Sequence, residues 1–189
     1  MNATEIIIPD NSCNEEGDDL DLSEYTKLKK LTVGDNCFAK LGAVHLYTYG
    51  VESITIGMNS FNGGTNSPDN TLHINGWGLK ELRIGRYSFS NYSLLSIVTD
   101  PLEVVEIGDL NEESLNFQYG SLELSSLVVI RHSSVGSRLK SIVIGDKSFM
   151  YCKYAIFECE LWLIVLNDRV EFLGIHPAWR ECASVQGWL

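Results

Sequence analysis

Apolar residues return along this chain at a fixed spacing: one, a second three positions on, a third two further, then a glycine. The copies read Leu28-Leu31-Val33-Gly34, Val51-Ile54-Ile56-Gly57, Leu79-Leu82-Ile84-Gly85, Leu102-Val105-Ile107-Gly108 and Leu139-Ile142-Ile144-Gly145. A weaker sixth copy is Leu161-Ile164-Leu166-Asn167. The last two apolar positions of each copy are separated by one residue, as in a strand with one buried face. Repetition on this scale predicts a stacked solenoid, in which each repeat buries its apolar face only against its neighbours. The glycine is expected to accept positive φ and turn the chain sharply off the sheet. Four residues after it stands an aromatic behind a small residue: Cys37-Phe38, Ser60-Phe61, Ser88-Phe89 and Ser148-Phe149. Each Phe is expected to plug the interior just past the corner. In the fourth copy the pair is displaced to Ser114-Leu115, which predicts an irregular corner there.

A second apolar period lies between the copies. Apolar-x-apolar triplets occur at Leu20-Asp21-Leu22, Val44-His45-Leu46, Leu72-His73-Ile74, Leu95-Ser96-Ile97, Leu122-Glu123-Leu124 and, more weakly, Tyr154-Ala155-Ile156. In all but one case the central residue precedes the outward residue of the next main strand by 10 or 11 positions; Glu123 to Val143 is the exception, at 20. Each coil is thus predicted to hold two short strands, and stacked coils to build two parallel sheets across a shared apolar core.

Spacings between main strands are 23, 28, 23, 37 and 22 residues. The surplus falls in residues 62–70 (NGGTNSPDN), a turn-forming polar stretch predicted to be a surface loop, and in insertions at 109–120 and 128–138. No convincing amphipathic helix precedes residue 150. The expected division is an acidic segment or first partial coil over 1–19, the solenoid over 20–167, and a C-terminal tail over 168–189. The predicted fold is mostly β, a solenoid of about six coils with two short parallel strands per coil and irregular corners.

The pattern L-x-x-I-x-I-G-x-x-S-F resembles a leucine-rich repeat, and within that class the BspA-like, or Treponema-type, repeats. Residues 142–152 (IVIGDKSFMYC) match most closely, and the resemblance covers roughly residues 20–152. It implies a solenoid that binds other proteins, of a type found in bacterial surface adhesins and in large families of unicellular eukaryotes. The asparagine that many leucine-rich repeats carry at the strand exit is replaced by Gly except at Asn167, so no continuous asparagine ladder is expected there.

Composition changes the picture in three ways. The net charge of −11 repels phosphate backbones, so nucleic acid is not an expected partner. The N-terminal stretch has no basic n-region followed by an apolar core, and no uncharged apolar run is long enough to span a bilayer. The cysteines, Cys13, Cys37, Cys152, Cys159 and Cys182, are odd in number, scattered and without a CxxC. They predict neither a disulfide framework nor a zinc site. The expectation is a reducing compartment, with the cytoplasm favoured.

Candidate chemistry is sparse. None of the motifs GxSxG, HExxH, GxxxxGK[ST] or GxGxxG occurs. No catalytic residue, metal site or cofactor is expected, and the chain is not expected to be an enzyme. The acidic run at 14–21 reads as a solvated surface. His45 and His73 share a slot on successive second strands, with Asp21 in the slot before. That placement is open to a metal or a pH-sensitive patch, or simply to two solvated histidines. The candidate binding residues point outward from the main strands: Lys30, Thr32, Ser53, Thr55, Glu81, Arg83 and Glu106. Arg83 and Glu106 are predicted to pair across coils.

Past Cys152 the outward positions turn apolar, at Trp162, Leu163 and Val165, and the tail holds Trp179 and Trp188. The tail either caps the open end or leaves a sticky edge through which the chain self-associates. The functional expectation is a non-enzymatic protein-protein interaction module binding through the main sheet and corner loops. The alternative is a structural or surface-adhesive array of which this chain is a fragment.

Overall fold

The computed structural model describes residues 2–47, 49–63, 69–89, 92, 94–99 and 102–108, and the strands within 127–131, 141–144, 154–158 and 164–166. Its strands are β1 (Glu5–Ile8), β2 (Lys30–Val33), β3 (Ala43–Tyr47), β4 (Ser53–Ile56), β5 (Thr71–Gly76) and β6 (Glu81–Ile84). They continue with β7 (Leu94–Thr99), β8 (Val104–Ile107), β9 (Leu127–Arg131), β10 (Ser141–Ile144), β11 (Tyr154–Glu158) and β12 (Ile164–Leu166). No helix occurs among the described residues. The main sheet runs β1-β2-β4-β6-β8-β10-β12, and the second sheet β3-β5-β7-β9-β11. Every pairing is parallel. The chain is a β-solenoid that alternates between two sheets, turn after turn.

The apolar spacing places the core. Ile56 pairs in register with Ile84, Ile84 with Ile107, and Ile107 with Ile144. Leu31, Ile54, Leu82 and Val105 form the parallel column and are fully buried. Each such side chain contributes about 1.5–3 kcal/mol by leaving water. Val44, Leu46, Leu72 and Ile74 face them from the second sheet, also buried. Phe38, Phe61 and Phe89 fill the interior past the corner, their rings stacked at 4.8 and 5.1 Å. Tyr92 closes the stack edge-on to Phe89 at 4.9 Å and donates its hydroxyl to the Leu41 carbonyl. Burial pushes its phenol above the ordinary value.

The corner glycines do a different job from the one predicted. Gly34, Gly57, Gly85 and Gly108 do not have positive φ; among the described glycines only Gly17 and Gly63 do. Each corner glycine instead donates its N–H to the layer before, at 2.8–2.9 Å, as an extension of the strand ladder. A Cβ at Gly85 would lie 2.6 Å from the Gly57 carbonyl carbon and 2.7 Å from Met58 N; one at Gly57 would lie 2.6 Å from the Gly34 carbonyl carbon. Glycine is needed because successive layers touch backbone to backbone. The left-handed turn falls two and four residues later, at Asn36 and Phe38, Asn59 and Phe61, Tyr87 and Phe89, with φ of 53–61°. A bulky residue held there is strained, and the ring stack compensates.

Side chains then bond one corner to the next. Asn59 Nδ2 donates to Asn36 Oδ1 (2.8 Å) and Asn36 Nδ2 to Asn11 Oδ1 (3.2 Å). An asparagine ladder therefore exists, two residues beyond the glycine rather than at the strand exit. Asp10 Oδ1 accepts from Asp35 N (2.9 Å), and Asp35 Oδ1 from Met58 N (2.7 Å). Inside, Ser60 Oγ donates to Gly34 O (2.9 Å) and accepts from Cys37 N (3.1 Å), while Ser88 Oγ does the same for Gly57 O and Ser60 N. Replacing Ser60 by alanine leaves a buried N–H and a carbonyl unpaired. The expected cost is about 1–3 kcal/mol, read as a lower urea midpoint with an unchanged slope; an unaltered midpoint refutes the role given to this hydroxyl.

Several expectations need correction. All six motif copies supply a main-sheet strand, β2, β4, β6, β8, β10 and β12, and the count of about four turns differs only slightly from the about six coils expected. Leu20-Asp21-Leu22 is not a strand. Asp21 Oδ1 captures Ser23 N at 2.8 Å, and turns at Tyr25 and Leu28 bend the chain away. The second-sheet strand of the fourth turn is Leu127–Arg131, in part of the stretch read as an insertion, with Val129 opposite Ser96; Leu122–Leu124 lies outside the described residues. In β11 the register sets Ala155 opposite Val128 and Ile156 opposite Val129, so Ile156, not Ala155, continues the His45 column. The 62–70 loop is not wholly superficial, because Gly63 and Asn70 are buried and Asn70 Nδ2 donates to Gly63 O at 3.3 Å. Of the two readings of residues 1–19, the β1 pairing agrees with a first partial coil: β1 pairs with β2, and Pro9, Asn11 and Cys13 take the slots of Gly34, Asn36 and Phe38. Phe149, Ser114-Leu115, Trp162, Leu163, residues 132–138 and the tail 168–189 lie outside the described residues.

Candidate functional site

Strand alternation puts one set of side chains into the core and the other onto the outer face of the main sheet. The register then builds two outward columns. One runs Glu5, Lys30, Ser53, Glu81, Val104 and the other Ile7, Thr32, Thr55, Arg83, Glu106. All seven candidate residues share this face: Lys30 and Glu81 are exposed, and Thr32, Ser53, Thr55, Arg83 and Glu106 half-exposed. The columns continue in register to Ser141 and Val143, and Val165 follows Val143.

The charges on this face are paired with one another. Arg83 bridges to Glu106 on the next strand, as predicted, and reaches Glu81 at 3.7 Å. Lys30 pairs with Glu5 at 3.0 Å. Exposed pairs of this kind contribute at most about 1 kcal/mol each. A further row lies one residue before the strands, where Lys29, Glu52, Lys80 and Glu103 alternate in sign. Glu52 stands between Lys80 (2.6 Å) and Lys29 (2.9 Å). Hydrogen bonds from Lys80, then Lys29, hold its carboxyl at about 2, against an ordinary 4.5. A depressed folded value means that the stabilisation is complete above the ordinary value and is lost as pH falls from about 4.5 towards 2. Glu52→Gln should therefore destabilise the chain at neutral pH and flatten its acid limb, with added salt shrinking both effects. Urea midpoints from pH 7 to 2 that fall in parallel for both proteins would contradict this.

On the second sheet His45 pairs in register with His73, and the imidazoles meet edge to face at 4.8 Å. Burial, and then His45, lower the His73 pKa. Asp21 lies outside any strand and does not complete the column; Ser96, not a carboxylate, follows on the other side. Among the described residues no group of three or more histidine, cysteine or carboxylate side chains is arranged to hold a metal. Cys13 and Cys37 are free thiols.

One surface feature is absent from the sequence reading. Tyr47, Tyr49 and Trp77 are 60%, 74% and 76% exposed. Tyr47 ends β3 opposite Asn75 of β5. Two residues further on, the chain reaches Tyr49 in one layer and Trp77 in the next. Each is followed by glycine and then by the first apolar residue of a motif: Tyr49-Gly50-Val51 and Trp77-Gly78-Leu79. Equivalent positions in neighbouring layers thus present aromatic rings to solvent at the corner leading into the main sheet. The repeated aromatic-Gly step was the available signal.

No family model matches this chain, no curated protein matches it, and no solved structure matches it. The resemblance to leucine-rich repeats stands on the motif alone. No described helix is long and apolar enough to cross a membrane.

Proposed function

We propose that this chain is a non-enzymatic protein-interaction module of the leucine-rich-repeat kind, of the BspA-like subclass its motif resembles. It engages a partner through the outer face of the main sheet and the corners beside it. The observation that carries the reading is the pair of outward columns, which offers side chains of varied chemistry on successive parallel strands. Solenoids bind proteins on extended surfaces of this sort. A partner must displace the Lys30–Glu5 and Arg83–Glu106 pairs, so Lys30, Arg83 and Glu106 are the residues to test for discrimination. The test combines Lys30→Ala, Arg83→Ala and Glu106→Ala. Partners recovered with the wild-type chain are purified, rebound, and compared on the triple variant. A tenfold or greater loss with an unchanged circular-dichroism spectrum supports the sheet as the binding face. Equal binding removes it.

The alternative reading, a structural or adhesive array, draws on β1. Among the described residues this strand ends the main sheet and pairs with β2 alone. An open edge is a template for a further strand. Size-exclusion profiles across concentration separate the two readings: concentration-dependent growth in size favours the array.

A further inference from the structure

We propose that Pro9 is an end stop, a residue that keeps any further rung of this repeat from stacking on the β1 side of the solenoid. The inference goes beyond the protein-binding reading and does not depend on it. It does bear on the array reading, which is left to gain rungs only on the opposite side.

The strand by itself would accept a neighbour. The carbonyls of Thr4 and Ile8 accept from Lys30 N and Gly34 N, so they face β2. Backbone groups alternate sides along a strand, and Glu5, Ile7 and Pro9 therefore aim theirs away from β2. A row of unpaired N–H and C=O groups is a template for another strand. Ile7 is 65% exposed, and Ile6 and Ile8 are only partly buried against the core.

The corner after the strand prevents it. Pro9 is exposed and stands in the slot that Gly34, Gly57, Gly85 and Gly108 fill in later layers. The corner around it is the same one: Asn11 N donates to Asp35 O at 2.8 Å, as Asn36 N does to Met58 O and Asn59 N to Arg86 O. Asn11 and Cys13 have φ of 60° and 56°, matching 55° and 53° at Asn36 and Phe38. In the later layers this slot meets the layer before in two ways. Its N–H donates to a carbonyl there: Gly34 N to Ile8 O, Gly57 N to Val33 O, Gly85 N to Ile56 O and Gly108 N to Ile84 O. Its lack of a side chain lets the backbones close up. A Cβ on Gly34 would lie 2.7 Å from Asp10 N, and one on Gly57 or Gly85 would lie 2.6 Å from the carbonyl carbon of the preceding glycine. Proline can do neither, because it has no N–H and carries ring carbons in place of the hydrogen. A rung approaching β1 loses a ladder bond and meets the ring where its own peptide must lie. Proline on an edge strand blocks further pairing for the same reason. The second sheet offers no substitute: among the described residues it ends at β3, and the layer of β1 adds no strand to it.

The test supplies the missing rung. Residues 30–51 are copied and joined ahead of Thr4, in place of residues 1–3. The copied strand then precedes β1 by the same 23 residues that separate β2 from β4. Amide hydrogen exchange is read at Ile7, whose N–H faces the open side. In the extended chain with Pro9 in place, Ile7 should exchange as fast as in the unextended chain. In the extended chain with Pro9→Gly, its exchange should slow by about tenfold or more, because the copied strand now pairs with β1. Pro9→Gly in the unextended chain is the reference for any local effect of the glycine, and circular dichroism checks that the rest of the solenoid is intact in all four proteins. The inference is overturned if the copied rung slows Ile7 equally with proline and with glycine, since nothing then keeps it off. It is equally overturned if the copied rung slows Ile7 in neither, since Pro9 is then not what keeps it off. No partner enters the measurement, so this failure is distinct from a failure of the binding face.

Discussion

Replacing Gly85 by alanine is expected to cost at least about 3 kcal/mol, at or beyond the top of the usual range for overpacking. The new Cβ would meet only backbone: the Gly57 carbonyl carbon and oxygen at 2.6 and 2.7 Å, and Met58 N at 2.7 Å. No rotamer change relieves that contact, so two layers must separate, and with them the ladder bond from Gly85 N to Ile56 O. Gly108→Ala is the internal control. Its nearest neighbour would be Arg86 N at 3.2 Å, and a shift of a few tenths of an ångström accommodates it. Urea unfolding of the two variants side by side decides the matter. Equal midpoints would mean that the glycines serve the turn and not the stacking.

Phe61→Ala should be comparably severe. Its ring lies between those of Phe38 and Phe89 and is fully buried. Removing it cuts the stack in the middle and opens a cavity with rigid walls, at about 3–5 kcal/mol. Alanine keeps the unfavourable left-handed backbone, φ 56° at this position, without the ring contacts that compensate for it. The melting temperature should fall by about 10 °C or more. A loss under about 1 kcal/mol would show that the stack contributes little beyond filling space.

The parts of the fold legible in the sequence were those imposed by burial. Leu31, Ile54, Leu82 and Val105 advertise their column because a parallel sheet repeats the same inward slot in every layer. The Phe plugs, the Arg83–Glu106 bridge and the His45–His73 contact follow once the spacing is known. What stayed hidden depended on contacts between layers or on substituted slots. The role of Gly85 is set by Gly57 and Met58, residues far away in sequence. The first rung carries Pro9 and Cys13 where later rungs carry Gly and Phe, so its pattern is masked. Asp21 sits between two leucines as a strand residue would, yet its carboxylate bonds Ser23 N and makes a turn. The rival stretches 122–124 and 127–131 are both apolar enough for a strand, and the β7 and β11 registers identify the second.

Of the candidate surface, the sequence located the outward columns, since alternation alone determines which side chains leave the core. It did not reveal that Lys29, Glu52 and Lys80 form a charge row, because a solvent-facing position carries no periodic constraint. The aromatic corner escaped for the same reason. Tyr49 and Trp77 share a slot and a following glycine but not a residue type, so the aromatic-Gly step is a faint signal that their exposure makes plain.

The hydrogen bonds that join corner to corner have one more consequence. Asn36 receives from Asn59 what Asn11 receives from Asn36, and Asp35 offers Met58 what Asp10 offers Asp35. Donor and acceptor faces are thus interchangeable between storeys, and the protein's length is not written into its joints. A duplication or excision that runs from one glycine to the residue before the next, such as residues 34–56, returns the same fittings at both seams. Such a molecule grows or shrinks by whole storeys without redesign, and it can alter what it displays while its masonry stays the same.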